Sequence, residues 1–154
     1  MKYTYNQTKH IELLKRSQDF KNQGRSFDKE SREEYLELLS YDGTVYKMIL
    51  WQQRHKIQEL MEDFLNKKID GEEFCGGVFG LRRTLMIESD QFLVQLAAGE
   101  VKNFQPDPRV SQCSGFLDSL FCYCDDFMED YENDQFITAM QNGFLNFQEA
   151  LNEE

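Results

Sequence analysis

The chain has 154 residues, 40% of them hydrophobic and 14% aromatic, with two prolines and a formal net charge of -11. That length lets one domain bury its core without disulfides or a metal, and that apolar content excludes a disordered chain. Residues 1–77 carry 13 basic and 14 acidic residues, a balance of -1, whereas residues 78–154 carry 4 and 14, a balance of -10, which argues against direct nucleic-acid binding and suits a basic partner or solubility.

Abundant Leu, Glu, Gln and Lys favour helix over sheet. No apolar run approaches the roughly 20 residues that span a bilayer, and the start of the chain lacks the apolar core of a secretory signal. The expectation is a soluble, cytoplasmic protein without membrane contact, its thiols Cys75, Cys113, Cys122 and Cys124 reduced.

Thr8 is placed to cap a short first helix carrying Ile11, Leu14 and Phe20, and residues 22–26 form a loop by composition. Ser31 and Glu34 have the spacing of a capping box, in which hydroxyl and carboxylate each satisfy a backbone N–H. Tyr35, Leu36, Leu38 and Leu39 form the apolar face that follows, and residues 41–44 punctuate it. Residues 1–44 therefore read as a helical extension of a main body at 45–154.

The strongest pattern runs from Val45 to Lys67, where Val45, Ile49, Leu50, Ile57, Leu60, Met61, Phe64 and Leu65 recur at helical spacing. Lys67 and Lys68 complement the dipole at its end. Asp70 is the cap of the next helix, with Glu73 at the third position and Phe74, Val78, Leu81 and Leu85 as its stripe. Gly76, Gly77 and Gly80 interrupt it, each costing about 0.8–1.0 kcal/mol relative to Ala, and close approach of a neighbouring helix is the expected reason. A phosphate loop needs a preceding strand and a following Lys-Ser or Lys-Thr, and the sequence has neither. Ser89-Asp90 marks a kink or a restart, Gly99 a stop, and residues 104–108 a proline-containing loop.

Ser114 is predicted to cap a helix reaching Asp126, with Leu117, Leu120, Phe121 and Cys124 on one face. Asp134 is predicted to cap the last helix, to Leu151, along which Ile137, Met140, Phe144, Phe147 and Leu151 repeat in sevens. No strand-like alternation is sustained. The expected fold is all-α: an antiparallel four-helix bundle with a short helical N-terminal extension.

Reactive chemistry is hard to find. Cys122 and Cys124 are two apart, about 200° on a helix, and do not chelate one ion; no second Cys pair or His-x3-His completes a zinc site. His10 and His55, the two histidines, read as packed or solvated side chains. No hydrolase or metalloprotease motif occurs, and the acids lack the glycine of an EF-hand loop. The chain is expected to be no enzyme and to need no cofactor or metal.

What remains is a run of acids without a base: Asp118, Asp125, Asp126, Glu129, Asp130, Glu132 and Asp134. Charge runs often serve only solubility. Asp125 and Asp126, however, fall at a helix C-terminus, where the dipole disfavours anions by about 0.3–1 kcal/mol each. Sites that break a local rule are where function is expected. Tyr123, Phe127 and Tyr131 are interleaved with them as potential anchors or arginine-stacking rings.

The run Leu-Met-Glu-Asp-Phe-Leu65, then Asn-Lys-Lys-Ile-Asp-Gly-Glu-Glu-Phe74, then Gly115-Phe-Leu-Asp-Ser-Leu-Phe-Cys-Tyr-Cys-Asp-Asp-Phe127 and a closing helix, resembles the colicin D immunity-like family over residues 45–151. That family consists of small antiparallel helical bundles whose acidic surface fills the basic RNA-binding cleft of a toxic tRNA nuclease. The resemblance implies a non-enzymatic immunity or inhibitor protein. Its partner contacts would be Asp118, Asp125, Asp126, Glu129, Asp130, Glu132 and Asp134, with Tyr131 as an anchoring ring. Residues 1–44 have no counterpart in it. The chain is also similar to reading frames of algal plastid genomes. That suggests the alternative of an adaptor in the cytosol or plastid stroma, using the same surface on an unrelated basic partner.

Overall fold

The helical spacing of the sequence is realised throughout the computed structural model, which describes residues 3–128 and 130–152 and contains no strand among them. The helices are α1 Gln7–Asn22, α2 Phe27–Glu30, α3 Arg32–Gln52, α4 Arg54–Leu65, α5 Gly71–Ala97, α6 Val110–Asp126 and α7 Asp134–Asn152. The all-α class is as expected. None of these helices is long and apolar enough to cross a membrane.

Helix α3 packs against α1, α2, α4, α5 and α6, while α7 closes over α4 and α6. The larger core cluster joins Val45 and Leu50 of α3, Met61 of α4, Phe74 and Leu85 of α5 and Phe136 of α7. Phe64 stacks on Phe74 with centroids 4.7 Å apart, and Phe136 meets Phe64 edge-on at 5.8 Å. Each such side chain, fully buried, contributes roughly 1.5–3 kcal/mol. A smaller cluster holds Leu13, Phe27, Leu38 and Tyr41. Beside it lies His10, fully buried, with Tyr5 Oη 3.0 Å from Nδ1 and Asp42 Oδ1 2.7 Å from Nε2.

The break expected at residues 41–44 does not occur; α3 runs through it. Tyr41 and Val45, one turn apart, are both buried, so packing on one face overrides the Asp-Gly signal. Leu38 and Tyr41 belong to the smaller cluster and Val45 and Ile49 to the larger, all on one helix. The chain breaks instead at Gln53, whose N–H is shared between the carbonyls of Ile49 (3.2 Å) and Leu50 (3.0 Å). Arg54 then lies over the Trp51 ring at 4.4 Å and donates to the Trp51 carbonyl at 2.9 Å. The single helix expected for 45–67 is thus the end of α3 plus α4.

Several caps differ from expectation. Asn6, not Thr8, caps α1 by accepting from the Lys9 N–H at 3.0 Å. The Ser31–Glu34 capping box does not form, because the Ser31 side chain makes no cap bond and Glu34 pairs with Arg16 of α1 at 2.9 Å. Helix α5 passes through Ser89-Asp90 unbroken, with Ser89 buried. Helix α6 starts at Val110, ahead of Ser114, on a turn built by Asp107, whose carboxylate accepts from the Arg109 N–H (2.9 Å) and guanidinium (2.8 Å). Asn133 rather than Asp134 caps α7, accepting from the Gln135 N–H at 2.8 Å. Asp70 caps α5 as expected, accepting from the Glu73 N–H at 2.8 Å, and Gly99 ends that helix with φ of 75°.

Of the three interrupting glycines, Gly77 alone faces a close neighbour: a Cβ there would meet Leu60 Cδ2 at 2.8 Å. Gly76 and Gly80 have open space, so close approach does not account for them.

A candidate acidic surface at the junction of α6 and α7

Helix α6 buries Leu120, Phe121 and Cys124, which turns Cys122, Tyr123, Asp125 and Asp126 outward. The opposite facing of Cys122 and Cys124 is the one helix geometry requires. The side chains of Cys113, Ser114 and Leu117 lie outside those described. Asp125 and Asp126 close the helix with no basic residue in its last turn, and Phe127 follows as C-cap, its N–H on the Tyr123 carbonyl at 3.1 Å.

Phe136 organises the connection that follows. Phe127 packs on it at 5.7 Å and Tyr131 at 5.5 Å, so both rings of the junction turn inward. The Asp130 N–H donates to the Phe127 carbonyl at 2.8 Å, and Asn133 Nδ2 donates to the Asp130 carboxylate at 3.1 Å. Tyr131 also covers Gly71, buried at the start of α5, and its hydroxyl donates to the Cys124 carbonyl at 3.4 Å. Tyr131 therefore holds the junction down, and the exposed large apolar side chains there are Tyr123 and Met128.

The acids separate by environment. Asp134 is the first residue of α7, where the dipole favours an anion, and Asp130 braces Asn133, so both have local structural work. Glu132 lines a cleft of about 550 Å³ together with Tyr131, Lys67 and Lys68. The base-free run in sequence thus meets two lysines in space. Asp118, on the same stripe of α6 as Asp125 about two turns earlier, faces a different groove with Tyr46, Arg82 and Asp90. Burial and, after it, the Asp118 charge push the Tyr46 hydroxyl above its ordinary range. Glu129 lies outside the described residues. Asp125 and Asp126 are left exposed at the unfavourable end of a helix, in no ion pair among the described residues.

Under Tyr131 is a contact that the sequence reading missed. Cys75 of α5 and Cys124 of α6 are buried with their sulfurs 2.7 Å apart. The side-chain contact with Cys124 lowers the Cys75 thiol below its ordinary range, while the contact with Cys75 and then burial push Cys124 up. Burial, then the nearby Cys75 charge, raises the Tyr131 hydroxyl to about 12. With the two cysteines 49 positions apart, no local spacing could signal the pair.

Among the described residues no three His, Cys, Asp or Glu side chains converge to hold a metal ion. No family model, curated protein or solved structure matches the chain.

Proposed function

We propose that this protein is a non-enzymatic inhibitor of the immunity type, which covers the RNA-binding cleft of a basic tRNA-nuclease toxin with its α6–α7 end. On this reading, the end of α3 with α4, α5, α6 and α7 serves as an antiparallel bundle that holds the acidic end rigid. The observation that carries the proposal is the placement of Asp125 and Asp126: exposed, unpaired among the described residues, and at the helix end that repels them. Such charges raise association rates with a basic surface. Tyr123, 40% exposed beside them, offers a ring to stack on arginine.

The test is inhibition of tRNA cleavage by a purified nuclease domain of the colicin D class, at low and at high salt. The wild-type chain should inhibit at low salt, and Asp125→Lys with Asp126→Lys should weaken inhibition by roughly tenfold or more. Asp19→Asn, at an exposed acid of α1 outside this surface, should inhibit like the wild type. Failure of the wild-type chain to bind or inhibit the nuclease overturns the proposal. Salt-sensitive binding to a basic protein without inhibition favours the adaptor reading.

A further inference from the structure

Helices α5 and α6 pack directly together and bring two thiols into contact in the core, Cys75 at 1% and Cys124 at 0% exposure. Their sulfurs are 2.7 Å apart. A disulfide places them about 2.05 Å apart, so a small approach of two side chains is enough to join them. Tyr131 completes the arrangement: its hydroxyl donates to the Cys124 carbonyl at 3.4 Å, and its ring lies across Gly71 at the start of the same helix as Cys75. Cys122 points outward from the opposite face of α6 and has no place in this cluster.

We propose that Cys75 and Cys124 are a reversible oxidation site, at which hydrogen peroxide or a similarly small peroxide joins α5 to the end of α6 beneath Tyr131. The Cys75 thiolate, in contact with the Cys124 thiol, attacks one peroxide oxygen. The O–O bond breaks, the leaving oxygen takes a proton as water, and Cys75 becomes a sulfenic acid. Cys124 then loses its proton and displaces that hydroxyl from the Cys75 sulfur, releasing a second water. Two thiols are oxidised by two electrons, and one peroxide is reduced to two waters. Burial under Tyr131 restricts the site to small oxidants and keeps Cys122 out of the exchange. The product closes a long loop and crosslinks the base of the acidic junction, independently of what that junction binds.

The experiment treats the folded, full-length chain with hydrogen peroxide, blocks remaining thiols, and maps disulfides by mass spectrometry of proteolytic fragments. A Cys75–Cys124 crosslinked fragment is expected to dominate, to vanish with dithiothreitol, and to form equally in a Cys113→Ser, Cys122→Ser variant. The oxidised form of that variant should melt roughly 5–10 °C above its reduced form. Recovery of Cys75 and Cys124 as free thiols while Cys122 is oxidised, or disulfides running mainly to Cys113 or Cys122, overturns the proposal.

Discussion

Tyr131 rests on Gly71 so closely that a Cβ added to the glycine would overlap the Cβ of the tyrosine. The first residue of α5 and the middle of the acidic junction are thereby fitted to each other. Gly71→Ala must displace Tyr131 from Phe136, and should destabilise the protein by about 1–3 kcal/mol although alanine is the better helix former. Gly80→Ala, with open space around its Cβ on the same helix, should have the opposite sign and stabilise by about 0.5–1 kcal/mol. Urea unfolding of the two variants measures both, and two changes of the same sign would refute the contact.

Helix α4 ends with Lys67 in the left-handed region, φ 60°. Its N–H bonds the Phe64 carbonyl at 3.0 Å and the Lys68 N–H bonds the Asp63 carbonyl at 2.8 Å, a Schellman closure that ordinarily takes glycine. Lys67→Gly should therefore stabilise the protein by about 1 kcal/mol, and Lys67→Ala should not. Thermal melts of the pair check this.

The end of α6 should show a conflict between stability and binding. Replacing Asp125 and Asp126 by lysine puts cations at a helix C-terminus and should raise stability by about 0.3–1 kcal/mol per site at low ionic strength, less in salt. The same variants should lose nuclease inhibition. Loss of both stability and inhibition would mean that the carboxylates are structural.

Asp107 is held down to about 2, first by its hydrogen bonds from the Arg109 side chain and backbone. Its folded value is lower than its unfolded value near 3.9, so its contribution is complete above about pH 4 and is lost as the pH falls through about 2. The start of α6 should weaken over that window. Comparing melting temperatures at pH 4 and pH 2, Asp107→Asn should show a smaller drop than the wild type; an equal drop would place the acid sensitivity elsewhere.

Helix positions with strong local signals were legible in the sequence: the Asp70 cap, the Gly99 stop, the stripe from Phe74 to Leu85 and the inward Met140 and Phe147. Signals that compete with packing were misleading. The Asp-Gly at 42–43 yields to buried Tyr41, Glu34 leaves its capping role for Arg16, and the break at Gln53 carries no glycine or proline. At the acidic junction, the outward face of Asp125 and Asp126 followed from the period of α6. Long-range partners did not: Lys67 and Lys68 across from Glu132, Gly71 under Tyr131, and Cys75 against Cys124 meet only through tertiary packing. The same holds for His10, whose Tyr5 and Asp42 partners come from the chain before α1 and from mid-α3.

Because α3 carries Leu38 and Tyr41 into one cluster and Val45 and Ile49 into the other without a break, the two clusters share a single helical hydrogen-bond ladder. Melting either one frays the other across one turn. The chain should unfold in a single cooperative transition, and cutting before Val45 would leave the remaining α3 segment with a raw helix end of unsatisfied N–H groups.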